Sequence, residues 1–357
     1  MKKMKKINKQ LRSNLITYGI VVAAYIIVTL CMQAGMISSL LQGLLVPLCV
    51  YVILAISLNL TVGILGELSL GHAGFMCAGA FSGALFSKIT ADMIHPAGLR
   101  FFLALLVGTA VAALFGFLIG IPVLRLKGDY LAIVTLAFGE IIKELVTCLI
   151  VGHDENGLHI LFNLTGNKTV EDLGLSDTGI AIIKGAQGTA SVKTIASFTA
   201  GFILVMVTLF IVLNLKHSRA GRAIMALRDN RIATSSIGIN TTKYKLMAFV
   251  TSAALAGAAG ALYGLNYSSL QAAKFNFNTS ILVLVFVVLG GLGNIWGSLV
   301  AAAALTILPE ALREFADYRM LVYAIVLILV MLATHNPTLQ SFFARLKPGK
   351  KEEKEAA

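Results

Sequence analysis

The sequence is poor in charge. Charged residues make up 13% of it and hydrophobic residues 57%, whereas a soluble domain carries about 25% charged residues. This composition excludes a chain whose whole surface meets water. The apolar runs are long and do not alternate, which favours membrane-spanning helices over the short alternating strands of a membrane barrel. We therefore expect an all-α integral membrane protein.

The sequence also lacks the motifs of several enzyme classes. It contains no G-x-x-x-x-G-K-[ST] phosphate loop, no H-E-x-x-H zinc motif and no G-x-S-x-G nucleophile motif. Its cysteines lie in or at the ends of apolar runs, without the spacing of a metal site or a disulfide framework: Cys31, Cys49, Cys77 and Cys148. We therefore expect no catalytic or metal site, no cofactor and no ATP hydrolysis by this chain itself.

The apolar segments predict a polytopic helical bundle of about ten spans within residues 15–335. The candidate spans are 15–33, 39–61, 67–87, 101–121, 130–151, 195–214, 246–265, 280–291, 296–310 and 320–335. The eighth and ninth flank a Gly-rich run, so they are either two broken half-spans or one kinked helix. A second Gly-rich run, 63–74, interrupts the chain before the third span, and paired broken segments are typical of transporters.

Basic residues predict the orientation of the chain. The net charge is +12, and the Lys and Arg residues gather in the N-tail 1–14, near Arg125, in the loop 216–245 and in the charged tail 336–357. Because basic loops stay in the cytoplasm, we place these segments and both termini inside and the polar segment 152–193 outside. We prefer this explanation of the charge to nucleic-acid binding. The N-tail and first apolar run resemble a signal peptide, but we expect them to be retained.

Glycine pairs at four-residue spacing recur in the predicted spans. They are Gly79/Gly83, Gly116/Gly120, Gly260/Gly264 and Gly293/Gly297. Such spacing allows membrane helices to approach closely, so it predicts tight packing and says nothing about a substrate.

Few polar side chains are predicted at membrane depth. Glu140 and Lys143 are three residues apart and share a helix face, so they can pair. The pair either joins helices neutrally or lines a translocation path. His72 is either a hydrogen-bonding partner between helices or a path residue, and Asn294, in the Gly-rich run between the eighth and ninth candidate spans, is a further path candidate.

The loop 216–245 is polar but carries Ile224, Leu227, Ile232 and Ile237. Ala220–Leu227 favours one helix, Asn230 can cap a second, and Gly238 suits the left-handed position that ends a helix. A plain connection needs only a few residues. The apolar positions therefore indicate a docking surface, or else an amphipathic segment on anionic lipid headgroups.

Four stretches resemble the LivM-type permease subunits of branched-chain amino acid ABC importers, and they occur in that family's order from Gly63 to Glu310. They read ELSLGHAGFMCAGAF, LRLKGDYLAIVTLAFGEIIKEL, SRAGRAIMALRDNRIATSSIGINTTKYKLMAFVTSAALAGAAGALYG and VLGGLGNIWGSLVAAAALTILPE. The chain departs from the family at Ser235, where relatives commonly have an acidic residue, and at Glu67, where they often have glutamine.

The resemblance implies a function and a set of partners. The chain would be a multi-pass protein of a prokaryotic cytoplasmic membrane that forms the translocation path for leucine, isoleucine and valine. Its partners would be a LivH-like second permease, two cytoplasmic ATPase subunits that bind the ATP, and an extracytoplasmic substrate-binding protein. The loop would couple to the ATPase through Gly221, Arg222, Arg228, Asp229, Ala233 and Gly238.

Three alternatives stay open. Similar permeases serve urea, amides and other amino acids, which would keep the architecture and change the cargo. An ion-coupled secondary transporter would use Glu140, Lys143 and His72 as coupling groups and would need no ATPase. An intramembrane enzyme would require a catalytic constellation, which the sequence does not display.

Overall fold

The computed structural model describes most of the chain. The described residues are 2–36, 38–91, 93–126, 128–154, 157–163, 168–175, 179–190, 192–312, 324–325 and 328, and for 2–14 the description covers the backbone only. The chain divides into two compact units, Met1–Ala303 and Ala304–Ala357. The predicted tail 336–357 and most of the last candidate span lie outside the described residues.

Helices dominate the described residues, which confirms the predicted helical class. Eleven α-helices are described: α1 Lys2–Gln33, α2 Ser39–Asn59, α3 His72–Ile89, α4 Ala97–Val123, α5 Asp129–Cys148, α6 Phe198–His217, α7 Arg219–Asp229, α8 Arg231–Ser236, α9 Thr241–Gly264, α10 Phe277–Gly290 and α11 Ile295–Ala311. In the described part, six helical segments are long and apolar enough to cross a membrane. The count of ten spans stays a prediction.

The helices are interrupted at two places between consecutive predicted spans. α2 continues as a π-helix, Leu60–Leu65, and residues 66–71 then run without a helix to the start of α3. α10 and α11 are separated by a turn in which Gly291 and Gly293 have positive φ, +90° and +80°. The eighth and ninth candidates are therefore two separate helices and not one kinked helix.

The core of the first unit is packed through glycine. α9 packs against α3 and α4, and a Cβ at Gly260 would lie 2.0 Å from the Met76 carbonyl oxygen. A Cβ at Gly79 would lie 2.1 Å from the Gly257 carbonyl oxygen. The close approach predicted from the glycine spacing is confirmed at these crossings, because no larger residue fits between the backbones.

The predicted outside segment holds a small β-sheet that the all-helical expectation did not include. Its strands are β1 Leu149–Asp154, β2 Gly157–Phe162 and β3 Ile180–Lys184, in the antiparallel order β2-β1-β3. The first residues of β1 are apolar, so the sequence predicts that the fifth span continues to residue 151. In the structure α5 ends at Cys148, and residues 149–151 belong to β1. We call this the sheet end of the bundle and the opposite end, with α7 and α8, the loop end.

Candidate functional site

The loop 216–245 forms two short helices at the loop end. α7 begins after Ser218, whose Oγ accepts the Gly221 N–H at 3.0 Å. A Cβ at Gly221 would lie 2.0 Å from the Leu215 carbonyl oxygen, so α7 can fold back on the end of α6 only with glycine there. α7 confirms the first helix predicted for this loop.

α8 begins at the predicted residue, Arg231, and ends at Ser236, one residue before the predicted Ile237. Asn230 Oδ1 accepts the Ala233 N–H at 3.0 Å, and Gly238 has φ +82°, the left-handed conformation that favours glycine. Thr234 Oγ1 also donates to the Ala226 carbonyl oxygen at 2.9 Å. This bond ties α8 to α7, so residues 219–238, which we call the α7–α8 segment, form one folded piece.

The four apolar positions of the segment split into two pairs. Ile224 and Leu227 are buried against the rest of the chain, since their spacing of three places them on the inner face of amphipathic α7. They are therefore not part of an exposed docking surface, contrary to the expectation from sequence. Ile232, on α8, and Ile237, directly after its last residue, are 80% and 74% exposed, and we call these two side chains the apolar surface of α8.

Two arginines of the segment, Arg222 and Arg228, have different hydrogen-bond partners. Arg222 is exposed and donates from Nη1 to the His217 carbonyl oxygen at 3.3 Å. Arg228 Nε lies 3.5 Å from Asp229 Oδ1, while its Nη1 donates to the Gly63 carbonyl oxygen at 2.7 Å. Arg228, predicted for ATPase docking, thus also binds the backbone of the π-helix in its own chain.

The two Gly-rich interruptions meet at the loop end. Gly293 N–H donates to Asn59 Oδ1 at 2.8 Å, and a Cβ at Gly63 would lie 2.2 Å from the Gly293 nitrogen. Lys216 Nζ donates to the Gly293 carbonyl oxygen at 3.0 Å. Sequence reasoning identified both interruptions but did not identify Asn59, whose only signal was an amide inside an apolar run.

The predicted pair of Glu140 and Lys143 is present and has a third member, while its position at membrane depth stays a prediction. Lys143 Nζ lies 2.5 Å from Glu140 Oε2 and 3.1 Å from Glu144 Oε1. Glu140 Oε1 also accepts the N–H of Phe277, the first residue of α10, at 3.0 Å. Glu140 therefore joins α5 to α10, and it lies about 17 Å along α5 at 1.5 Å per residue.

Glu144 is the exposed member of this group. Its side chain is 61% exposed, compared with 33% for Glu140 and 17% for Lys143. Charged side chains at membrane depth face a protein interior or a water-filled cavity because lipid cannot solvate them. Sequence reasoning omitted Glu144 as a candidate, although its spacing of four from Glu140 places it on the same helix face.

The remaining two candidates lie apart from this group. His72 is buried, and its Nε2 is 2.8 Å from Ser57 Oγ, so it links α3 to α2. Asn294 is exposed in the turn before α11, where its carbonyl oxygen accepts the Ser298 N–H at 3.1 Å. That turn is separated from Phe277 by the length of α10, about 20 Å at 1.5 Å per residue.

A buried ion pair stabilises the first break, next to the π-helix. Lys245, near the start of α9, forms an ion pair with Glu67, which lies between the π-helix and α3. The Lys245 side chain is 3% exposed and that of Glu67 is 18% exposed. The acidic residue that departs from the family pattern is therefore matched by a buried cation.

The sheet end carries a basic cavity. It has a volume of about 520 Å³ and lies where the end of α3 meets β3. Lys88, Lys184 and Lys193 line it, and no acidic residue is among its lining. Lys88 Nζ is held toward the cavity by donation to the Ala190 carbonyl oxygen at 2.9 Å.

Within the described residues, no group of three or more His, Cys, Asp or Glu side chains is arranged to hold a metal ion. The charged and polar groups described above provide contacts between helices and an exposed carboxylate on α5, at Glu144, and two exposed isoleucines lie on and directly after α8.

Comparison with known proteins gives a consistent result. Residues 40–331 match the family described as branched-chain amino acid transport system / permease component. The chain is 38% identical over 290 residues to the high-affinity branched-chain amino acid transport system permease protein LivM of Salmonella typhimurium, covering 79% of this chain and 66% of LivM. The aligned chain thus spans slightly less than two thirds of that relative.

More distant relatives are also permeases. The chain is 27% identical to the permease protein LivH of Escherichia coli, over 79% of this chain and 88% of LivH. It is 32% identical to the ribose import permease protein RbsC of Haemophilus influenzae, over 33% of this chain and 39% of RbsC. No solved structure matches.

Proposed function

The chain belongs to the branched-chain amino acid transport permease family, and we propose that it forms part of the membrane passage of an ATP-driven amino acid importer in a prokaryotic cytoplasmic membrane. The proposed cargo is leucine, isoleucine and valine. The proposed partners are a LivH-like permease, two cytoplasmic ATPase subunits that supply ATP hydrolysis, and an extracytoplasmic substrate-binding protein.

The observation that carries this proposal is the apolar surface of α8. Ile232 and Ile237 are among the most exposed aliphatic side chains of the described residues, yet they lie on a polar segment that is folded and tied to the bundle. Exposed apolar groups on a polar surface favour a protein-docking site. In this proposal both isoleucines contact an ATPase subunit, together with Gly221, Arg222, Asp229, Ala233 and Gly238 of the same segment.

The acidic group on α5 supports a position for the passage. The face that carries Glu144 also exposes Ile133, Ile141 and Leu145, so the charge lies within an otherwise apolar surface. Because lipid cannot solvate that charge, we place this face toward the second permease and the water-filled passage between the two subunits. Glu140 and Lys143 then position α10 beside the passage, and His72 and Asn294 are the less direct candidates.

The basic cavity supports docking from the other side. Its lysines present positive charge without an acidic neighbour among the lining residues, and complementary charge steers protein association. The substrate-binding protein is the proposed partner at this sheet end. With this orientation both termini of the chain are cytoplasmic.

The cargo follows from similarity to the relatives rather than from a pocket in this chain. The similarity to LivM covers most of this chain, which favours branched-chain amino acids over urea, amides or other amino acids. The shorter match to RbsC shows only that related sequences occur in a permease for a different cargo.

The test is uptake by the assembled transporter in membrane vesicles. The chain is expressed with its candidate partner permease, ATPases and binding protein, and labelled leucine is followed with and without ATP. We expect ATP-dependent uptake that excess isoleucine and valine reduce. Uptake of urea or amides instead would change the cargo and keep the architecture.

A docking variant tests the observation on α8 directly. The double substitution Ile232→Glu and Ile237→Glu is compared with Met36→Glu, which changes a side chain that is 78% exposed outside the α7–α8 segment. We expect the ATPase subunits to dissociate from the double variant only. Uptake without ATP, and without any bound ATPase, would favour an ion-coupled transporter and refute the proposal.

A further inference from the structure

The two backbone breaks of the chain form a single junction. The π-helix Leu60–Leu65 and the α10–α11 turn are far apart in sequence, but their backbones touch at Gly63 and Gly293. Asn59, at the end of α2, is fully buried. Both the oxygen and the nitrogen of its side-chain amide form hydrogen bonds. Its Oδ1 accepts the Gly293 N–H at 2.8 Å, and its Nδ2 donates to Ser298 Oγ at 2.8 Å.

Two cations bind this junction, Lys216 near the end of α6 and Arg228 in the last turn of α7. Arg228 Nη1 donates to the Gly63 carbonyl oxygen at 2.7 Å, and Lys216 Nζ donates to the Gly293 carbonyl oxygen at 3.0 Å. Broken helices leave backbone carbonyls without intrahelical partners, and in a membrane protein such groups must be satisfied internally. Each break is therefore satisfied by a side chain from a different part of the chain.

Arg228 fits closely against the first break. A Cβ at Gly66, whose φ is +80°, would lie 2.4 Å from Arg228 Cγ. The stem of the arginine thus packs against the backbone that its guanidinium binds. If α7 is displaced, either the π-helix moves with it or this contact is broken.

The junction is continuous with the acidic group at membrane depth. The α10–α11 turn is one end of α10, and the other end is bound by Glu140 through the Phe277 N–H. The described contacts therefore run from the α7–α8 segment through Arg228, the junction and α10 to the face that carries Glu144. Positive-φ glycines at Gly66, Gly291 and Gly293 are positions where backbone rotation meets no Cβ.

We propose that Arg228 and Asn59 are positioning residues for transport. Arg228 transmits displacement of the α7–α8 segment to the π-helix, and Asn59 transmits it onward to the α10–α11 turn, so that both broken segments move together. This inference rests on the proposed function, since the displacement is supplied by ATPase subunits bound to α8. The role of Arg228 is then distinct from docking, because its guanidinium acts on its own chain.

The test separates docking from transmission in the assembled transporter. Arg228→Met is compared with Arg228→Lys and with Arg219→Met, which alters an exposed arginine of the same segment that is not among the proposed docking residues. ATPase association, ATP hydrolysis and leucine uptake are measured together, so that transported molecules per ATP can be calculated. This ratio is the decisive quantity, because a purely structural contact does not change it in molecules that still assemble and hydrolyse ATP.

We expect Arg228→Met to keep its ATPases and its hydrolysis while the ratio falls about tenfold, which is within the usual range of coupling free energies. Arg228→Lys restores most of the ratio because an ammonium can also donate to the Gly63 carbonyl, and Arg219→Met leaves it unchanged. An unchanged ratio in Arg228→Met, or loss of uptake only together with ATPase binding, would overturn the inference.

A second measurement does not depend on the cargo. Spin labels at Ser236 and Leu292, which are both exposed, report the distance between α8 and the α10–α11 turn in the ATPase-bound complex. We expect this distance to stay constant through the nucleotide cycle in the unsubstituted chain and to change in Arg228→Met and Ser298→Ala. Constant distances in all three would refute the inference alone, whereas failure of any ATPase to bind would refute the proposed function first.

Discussion

The buried pair Glu67–Lys245 offers a quantitative test of how the first break, at the π-helix, is stabilised. Glu67→Gln removes the carboxylate and leaves the Lys245 ammonium, whose side chain is 3% exposed, without its counter-charge. Breaking a buried pair by removing one partner costs about 3–5 kcal/mol. Because Glu67 is 18% exposed and water reaches the site from its side, we expect a cost near the lower value, about 3 kcal/mol.

A double-mutant cycle isolates the contribution of the pair. Lys245→Met removes the buried charge and leaves Glu67 in contact with water, so it destabilises less than Glu67→Gln. With both changes no charge is left unpaired, and we expect the double variant to be more stable than Glu67→Gln alone by about 1–3 kcal/mol, the range for directly contacting residues. Lys243→Met, two residues away and exposed, serves as the control.

The assay is reversible unfolding of the purified chain in mixed micelles, titrated with a denaturing detergent and followed by helical circular dichroism. The free energy of unfolding is compared among the parent, both single variants, the double variant and the control. Additive effects of the two substitutions would refute the reasoning, because they would show that Lys245 does not depend on Glu67. A cost for Lys243→Met equal to that of Lys245→Met would refute it as well.

Three further predictions concern packing, the end of α8 and the passage. Gly260→Ala should lower the free energy of unfolding by about 1–3 kcal/mol, as overpacking does, because its Cβ would meet the Met76 carbonyl oxygen at 2.0 Å; Gly43→Ala, with nothing within 4 Å of the added Cβ, should not. Gly238→Val should reduce ATP-coupled uptake because a β-branched residue is strained at φ +82°, while Gly238→Asn, which tolerates that conformation, should retain it. Glu144→Gln should change uptake and leave the free energy of unfolding within about 0.5 kcal/mol of the parent, as surface substitutions do. Glu140→Gln should also destabilise the chain, because it weakens the ion pair with Lys143. Equal effects of these two variants on stability would contradict the assigned contacts.

Local signals in the sequence were sufficient for the parts of the fold that local chemistry determines. The cap at Asn230, the left-handed Gly238 and the pairing of Glu140 with Lys143 each depend on residues within one or two helical turns, so spacing alone predicts them. The apolar start of β1 shows the limit of this approach. Leu149–Val151 has the hydrophobicity of a span, and only its pairing with β2 and β3 makes it a strand.

The candidate site was less predictable because tertiary contacts decide it. Ile224 and Ile232 look alike in the sequence, but the first is fully buried and the second is 80% exposed, since only the fold determines which face of α7 and of α8 meets the bundle. Asn59 gave no usable signal, because an amide in an apolar run is recognisable as functional only when its partners are known. Those partners, Gly293 and Ser298, are more than two hundred residues away.

The meeting of the two Gly-rich interruptions gives both of them a physical reason. Taken separately, each run weakens a membrane helix, because glycine lowers helix stability and a break exposes backbone groups that lipid cannot satisfy. In contact, Gly63 and Gly293 lie closer than any side chain would permit, and the freed backbone groups are bound by Asn59, Lys216 and Arg228. Lys216 lies directly before the α7–α8 segment and Arg228 lies within it. In the proposed mechanism, the breaks are therefore placed where an event outside the bundle acts on its interior.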